Sequence, residues 1–256
     1  MILGVATDVT VVVFAVALFA GAVTGITGFG FAVVATATLA SVLAPSDAVV
    51  VLILPLLATN VSLVRELDGD ALQSCARRFW PYVVAAAAGT VVGMAALESI
   101  PAGPLTSALG ALTLVYAAFT QPFVSVPGKQ WLADRCFRVD GPSKALLGFA
   151  SGLLFGASNV GIQVVAYLRS LSLDRSTFVG VLGMVLLGVS TIRVGAAAAL
   201  GLYGGSGLFA VSVAAAVPSV LGVAVGRRIR PSLSEGTKQA LTLVVLTSVG
   251  VRLLVG

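Results

Sequence analysis

A chain of 256 residues that is 58% hydrophobic and only 10% charged cannot be a water-facing globule, because a soluble domain needs roughly 25% charged residues to cover its surface. The net charge of +5 comes from lysines and arginines in short segments between apolar runs, a pattern of membrane orientation and not of nucleic-acid binding. The absence of histidine removes imidazole catalysis and histidine metal ligation. With a mean hydropathy of +1.09, the sequence reads as a polytopic protein of the cell inner membrane.

In chain order, the apolar stretches run from Val9 to Ala44, Ala48 to Val64, Phe79 to Leu97, Leu105 to Phe123, Leu146 to Leu168, Phe178 to Leu200, Leu208 to Val225 and Leu241 to Val255. Most hold about 17–23 residues, enough to cross a hydrocarbon core as helix. Continuous apolar runs in lipid satisfy their backbone only as helices, so the fold class is an all-α membrane protein. The first run is far longer than the apolar core of a signal peptide and is read as structure. It is too long for one span, and its middle, Gly25-Ile26-Thr27-Gly28-Phe29-Gly30, is dense in helix breakers. Two shorter helices meeting at a break are expected there, with a similar interruption at Gly156-Ala157-Ser158-Asn159-Val160-Gly161.

Internal repetition ties the two breaks together. Thr24-Gly25 recurs as Ser151-Gly152, Ala111–Val115 as Ala240–Val244, and the Gly89/Gly93 pair as Gly222/Gly226, in the same order and at nearly the same offset. The expected organisation is a first membrane repeat over 1–124, a cytoplasmic linker over 125–142 and a second repeat over 143–256. If every stretch crosses once, the loop cations divide nearly evenly. If the first and fifth stretches each return to the side they entered from, every loop lysine and arginine except Arg252 falls on one side. The positive-inside rule selects the second arrangement. It puts both termini outside and makes each repeat a broken or hairpin helix plus three spans, so the halves are inverted. Inverted repeats with discontinuous helices are a frequent transporter architecture. Cys75 and Cys136 then lie in cytoplasmic loops, where no disulfide is expected.

The residues with chemical potential cluster at the breaks. Broken helix ends release N–H groups, and where those ends are N-termini they favour an anion. Gly25, Gly28 and Gly30 would let the backbone approach a ligand, and Thr24, Thr27, Ser158, Asn159 and Gln163 add side-chain donors. The competing reading makes the glycines simple packing sites. Arg193 lies inside the run from Phe178 to Leu200, whereas all Asp and Glu lie at or near the boundaries of the stretches. An intramembrane arginine without an internal carboxylate points to an anionic ligand; the alternative is snorkelling to the interface or bonding to freed carbonyls. Asn60 is polar at depth and acts either as interhelical glue or as a ligand contact. No residue set fits a catalytic triad, an aspartyl dyad or a metal site, so no enzyme activity, cofactor or metal is expected.

The Gly21, Gly25, Gly28 and Gly30 signature, its partial echo at Gly148 and Gly152, the two-fold repeat and the Gly89/Gly93 and Gly222/Gly226 pairs resemble the TauE/SafE family, the sulfite-exporter or toluene-sulfonate-uptake permease group. The resemblance covers essentially the whole chain. Phe31 and its neighbours stand where the family carries a further glycine and a proline, and Phe155 and Ala157 depart from the second signature. The resemblance implies a secondary transporter, usually an exporter, of sulfite or an organosulfonate. Its partners would be that small anion and the lipid bilayer, with no nucleic acid and with homo-oligomer formation left open. Alternating access would rock one half against the other. The alternatives are a carrier of another small carboxylate or of a neutral metabolite, and a non-transporting membrane scaffold.

Overall fold

The computed structural model describes residues 7–28, 30–65, 69–97, 99, 101–120, 141–159, 175–204 and 206–255, and among these it is helical throughout its regular structure. In chain order the helices are α1 (Thr7–Thr27), α2 (Phe31–Leu39), α3 (Pro45–Val51), α4 (Ile53–Val64), α5 (Gly69–Leu97), α6 (Ala102–Thr120), α7 (Gly141–Ser158), α8 (Arg175–Ala199), α9 (Ser206–Ile229) and α10 (Glu235–Val255), with a 3-10 turn at Arg230–Ser232. Among the described residues four segments, Thr7–Thr27, Trp80–Leu97, Leu182–Ala199 and Gly207–Ser232, are long and apolar enough to cross a membrane.

The first apolar stretch does break at its glycines, but not into two short helices. Helix α1 holds 21 residues and α2 only 9. The break sits at the end of a full span because Gly28 and Gly30 adopt φ values of 88° and 109°, which residues with a Cβ rarely take. Gly21 and Gly25 remain within α1. The second stretch is also interrupted: α3 and α4 meet at Leu52 with a bend of 41°. Pro55 explains the bend. It offers no N–H to the Val51 carbonyl four residues earlier, and its ring crowds that carbonyl.

Two close seams organise the bundle. Along α1 and α9, a Cβ added to Gly21 would collide with the Ser219 carbonyl, and one on Gly25 with the Val223 carbonyl. From the other side, Gly222 and Gly226 meet the Leu18 and Ala22 carbonyls in the same way. Along α5 and α7, Gly89 and Gly93 face the Phe149 and Leu153 carbonyls, while Gly148, Gly152 and Gly156 face those of Tyr82, Ala86 and Thr90. Removing the side chains lets the backbones approach, and dispersion then holds the helices together in lipid. The Thr90 hydroxyl donates to Ala86 at 2.7 Å and also lies 3.1 Å from the Gly152 carbonyl across the seam.

The other extensive pairings join α6 to α10, α4 to α8, α5 to α8 and α4 to α9. At two of these contacts Gly250 lies against Leu114 and Gly183 against Leu63. Most large apolar side chains on the remaining faces, such as Val84, Val217, Leu221 and Val244, are exposed, as lipid-facing positions are.

Candidate functional site

Arg193 does not snorkel. It lies on α8 and is 0% exposed, the largest fully buried side chain among the described residues. Its Nη1 donates to Asn159 Oδ1. The Phe155 ring covers the guanidinium, 5.0 Å from ring centroid to Cζ. Its Nε and Nη2 have no hydrogen-bond partner among the described residues. The two acidic side chains that are described, Asp8 and Asp47, are both exposed.

Asn159 follows the last residue of α7 and takes φ 60°, a left-handed conformation that asparagine tolerates better than most residues. This ends the helix at the second predicted break. Its Nδ2 donates to Thr36 Oγ1 at 2.9 Å and to the Val49 carbonyl at 3.0 Å. With both amide hydrogens directed at acceptors and Oδ1 facing an arginine, the orientation of the amide is fixed. One side chain thereby joins α7, α8, α2 and α3.

The energies leave the cluster incomplete. A cation at membrane depth costs about 2.5–3.5 kcal/mol on insertion scales. One charge-assisted hydrogen bond contributes about 1.5–3 kcal/mol and a cation–π contact about 0.5–2 kcal/mol. These offset the charge but not the unpartnered Nε and Nη2 nitrogens, at about 1–3 kcal/mol each. The unpaired groups are also a particular pair. Nε–H and the adjacent Nη2–H point the same way, so together they form the edge that grips two oxygens of one anion. Tyr203, in the connection between α8 and α9, lies within electrostatic reach of Arg193 and beside Ser212. The Tyr203 and Ser212 hydroxyls are buried and not at hydrogen-bonding geometry with one another.

The structure brings together Asn159 and Arg193 of the residues singled out from sequence. Asn60 lies one helical turn away: its Nδ2 donates to Ser190 Oγ at 3.1 Å, tying α4 to α8. The hydroxyls of Thr24 and Thr27 donate to the Ala20 and Val23 carbonyls inside α1, each at 2.9 Å. Gly25 belongs to the α1–α9 seam. Gly28 and Gly30 form the first break, and a Cβ at Gly30 would meet nothing within 4 Å, so conformation and not space requires glycine there. The Ser158 hydroxyl donates to Leu154 at 2.5 Å. Gln163 and the return limb of the fifth stretch lie outside the described residues. Thr36, Phe155, Tyr203 and Ser212 were not candidates in the sequence.

No group of His, Cys, Asp and Glu among the described residues could hold a metal ion. Comparison with known proteins gives one result. The family model for the sulfite exporter TauE/SafE matches residues 13–253, while no curated protein and no solved structure matches the chain. With apolar spanning helices and a match over nearly its whole length, the chain belongs to the sulfite exporter TauE/SafE family of membrane transporters.

Proposed function

We propose that the protein is a secondary transporter that exports a small sulfur oxyanion, such as sulfite or an organosulfonate, across the inner membrane by alternating access. The observation that carries this is the two-donor edge of Arg193, buried and without a partner among the described residues. A guanidinium edge fits paired oxygens better than a point charge does. Sulfite and sulfonates offer such a pair.

The helix pairings support two inverted repeats, over 1–124 and 143–256, joined by a cytoplasmic linker. Exchanging α1 with α7, α4 with α8, α5 with α9 and α6 with α10 maps the α1–α9 seam onto the α7–α5 seam. It maps the α5–α8 contact onto α9–α4 and returns α4–α8 and α6–α10 to themselves. A pseudo-two-fold relation has this property. Together with the charge distribution it favours termini outside and a cytoplasmic face carrying Arg227, Arg228 and Arg230. The seams also refine how the protein moves. Each ties a helix of one half to a helix of the other, so the bodies that rock are α1 with α9 and α5 with α7, not the two halves as sequence segments.

The test is flux of labelled sulfite and of methanesulfonate in proteoliposomes, with acetate and a cationic amino acid as controls. Arg193→Ala is expected to lower sulfur-anion flux at least 100-fold while the protein remains folded, and Arg193→Lys to recover little, since an ammonium lacks the paired edge. Flux indifferent to Arg193 would remove this site; flux of acetate or of the amino acid in preference to sulfite would replace the substrate class.

A further inference from the structure

We propose that Asn159, held by Thr36, is a positioning residue that aims the two-donor edge of Arg193 at the ligand and couples ligand occupancy to the α2–α3 segment of the other half. The inference rests on the reading that Arg193 binds the transported anion.

Asn159 commits both of its N–H donors to protein acceptors, Thr36 Oγ1 and the Val49 carbonyl, and turns Oδ1 toward Nη1 of Arg193. It is 0% exposed. It therefore has no free N–H to offer an anion in this conformation, and its part is played through Arg193. By accepting from Nη1 it holds that end of the guanidinium and leaves the Nε–Nη2 edge without a protein partner among the described residues. The choice of amide over carboxylate is functional in the same geometry. A neutral oxygen holds the guanidinium in place and leaves its charge for the substrate. An aspartate would neutralise Arg193 and would set a carboxylate oxygen against the Val49 carbonyl.

Thr36 lies on α2 and Val49 on α3, while Asn159 and Arg193 belong to the other half. The orientation of Arg193 is thus referenced to the short return helix beyond the first break. Binding energy at Arg193 is shared along the same chain of bonds, and by linkage whatever displaces α2 and α3 alters affinity equally. Thr36 is 0% exposed within the apolar run of α2, and its hydroxyl accepts from the Asn159 amide.

The experiment uses detergent-purified and reconstituted full-length protein with sulfite, methanesulfonate and acetate as probes. It reads transport KM and Vmax and, separately, anion-dependent hydrogen–deuterium protection of residues 31–51. Thr36→Val, which keeps the shape and removes the acceptor, is expected to raise KM about tenfold with little change in Vmax. It should also abolish anion-dependent protection of that segment. Thr36→Ser should restore both, and Asn159→Asp should raise KM at least 100-fold. A Thr36→Val protein with unchanged KM and intact protection would overturn the proposal. Wild-type protein protected by an oxyanion that it does not move would support the positioning role while removing the transport reading. Wild-type protein on which none of the three anions acts would overturn both.

Discussion

Gly25 and Gly226 meet across α1 and α9 with no side chain between them: a Cβ on either would stand 2.9 Å from the other's Cα. The atoms that would be struck are backbone, so no side chain can swing aside. Gly25→Ala and Gly226→Ala should each destabilise by about 1–3 kcal/mol. The double variant should lose less than the sum, because one methyl already separates the helices. Gly103→Ala and Gly195→Ala, where an added Cβ meets nothing within 4 Å, should be neutral or slightly stabilising. Thermal melts in detergent would separate the two classes.

The Asn60–Ser190 hydrogen bond crosses the α4–α8 contact, which the proposed exchange of halves maps onto itself. A double-mutant cycle with Asn60→Leu and Ser190→Ala should give a coupling of about 0.6–1.7 kcal/mol. If this contact lies between the rocking bodies, a short thiol crosslinker joining cysteines at the two positions, with Cys75 and Cys136 replaced by serine, should stop flux reversibly. Unimpeded flux in the crosslinked protein would place both helices in one body.

Phe155 covers the Arg193 guanidinium, and leucine would keep the apolar volume while removing the ring. Phe155→Leu should raise the KM for sulfite about 3- to 30-fold, the equivalent of the cation–π contact, and Phe155→Trp should retain affinity where it fits. Equal KM in the leucine variant would show that the ring only fills space.

Pro55 withholds an N–H from Val51 at the α3–α4 bend. Pro55→Ala should straighten the pair and lengthen the spin-label distance between positions 47 and 61. Flux should fall more than stability does, because Val49 on α3 is an anchor of Asn159. An unchanged distance would assign the bend to tertiary packing.

These tests also mark where the sequence was readable. The first break was legible because Gly28 and Gly30 are needed for their dihedral angles, a demand local to the chain. The paired glycines announced close packing, but which helix each pair would meet depends on the whole topology. The α3–α4 break was missed because hydropathy is blind to a missing N–H, although Pro55 stood in plain view. Arg193 could be recognised as costly at depth, and its lack of an internal carboxylate was legible too. Thr36 could not be found. A single threonine in an apolar run costs little in lipid, and the amide that meets its hydroxyl belongs to Asn159, 123 residues away.

The α1–α9 seam sets a condition on how the protein is made. Helix α1 leaves the ribosome well before α9, yet the carbonyls that Gly21 and Gly25 meet arrive only with α9, after everything from Phe31 to Ala199. At about 5–20 residues per second that wait is on the order of ten seconds or more, spent in the bilayer with a stripe of bare backbone open to any other small-residue helix. Helix α7 waits less, because α5 is already inserted when it emerges. Helix α1 is therefore claimed late in insertion, and truncation before α9 should leave it a substrate for membrane quality control.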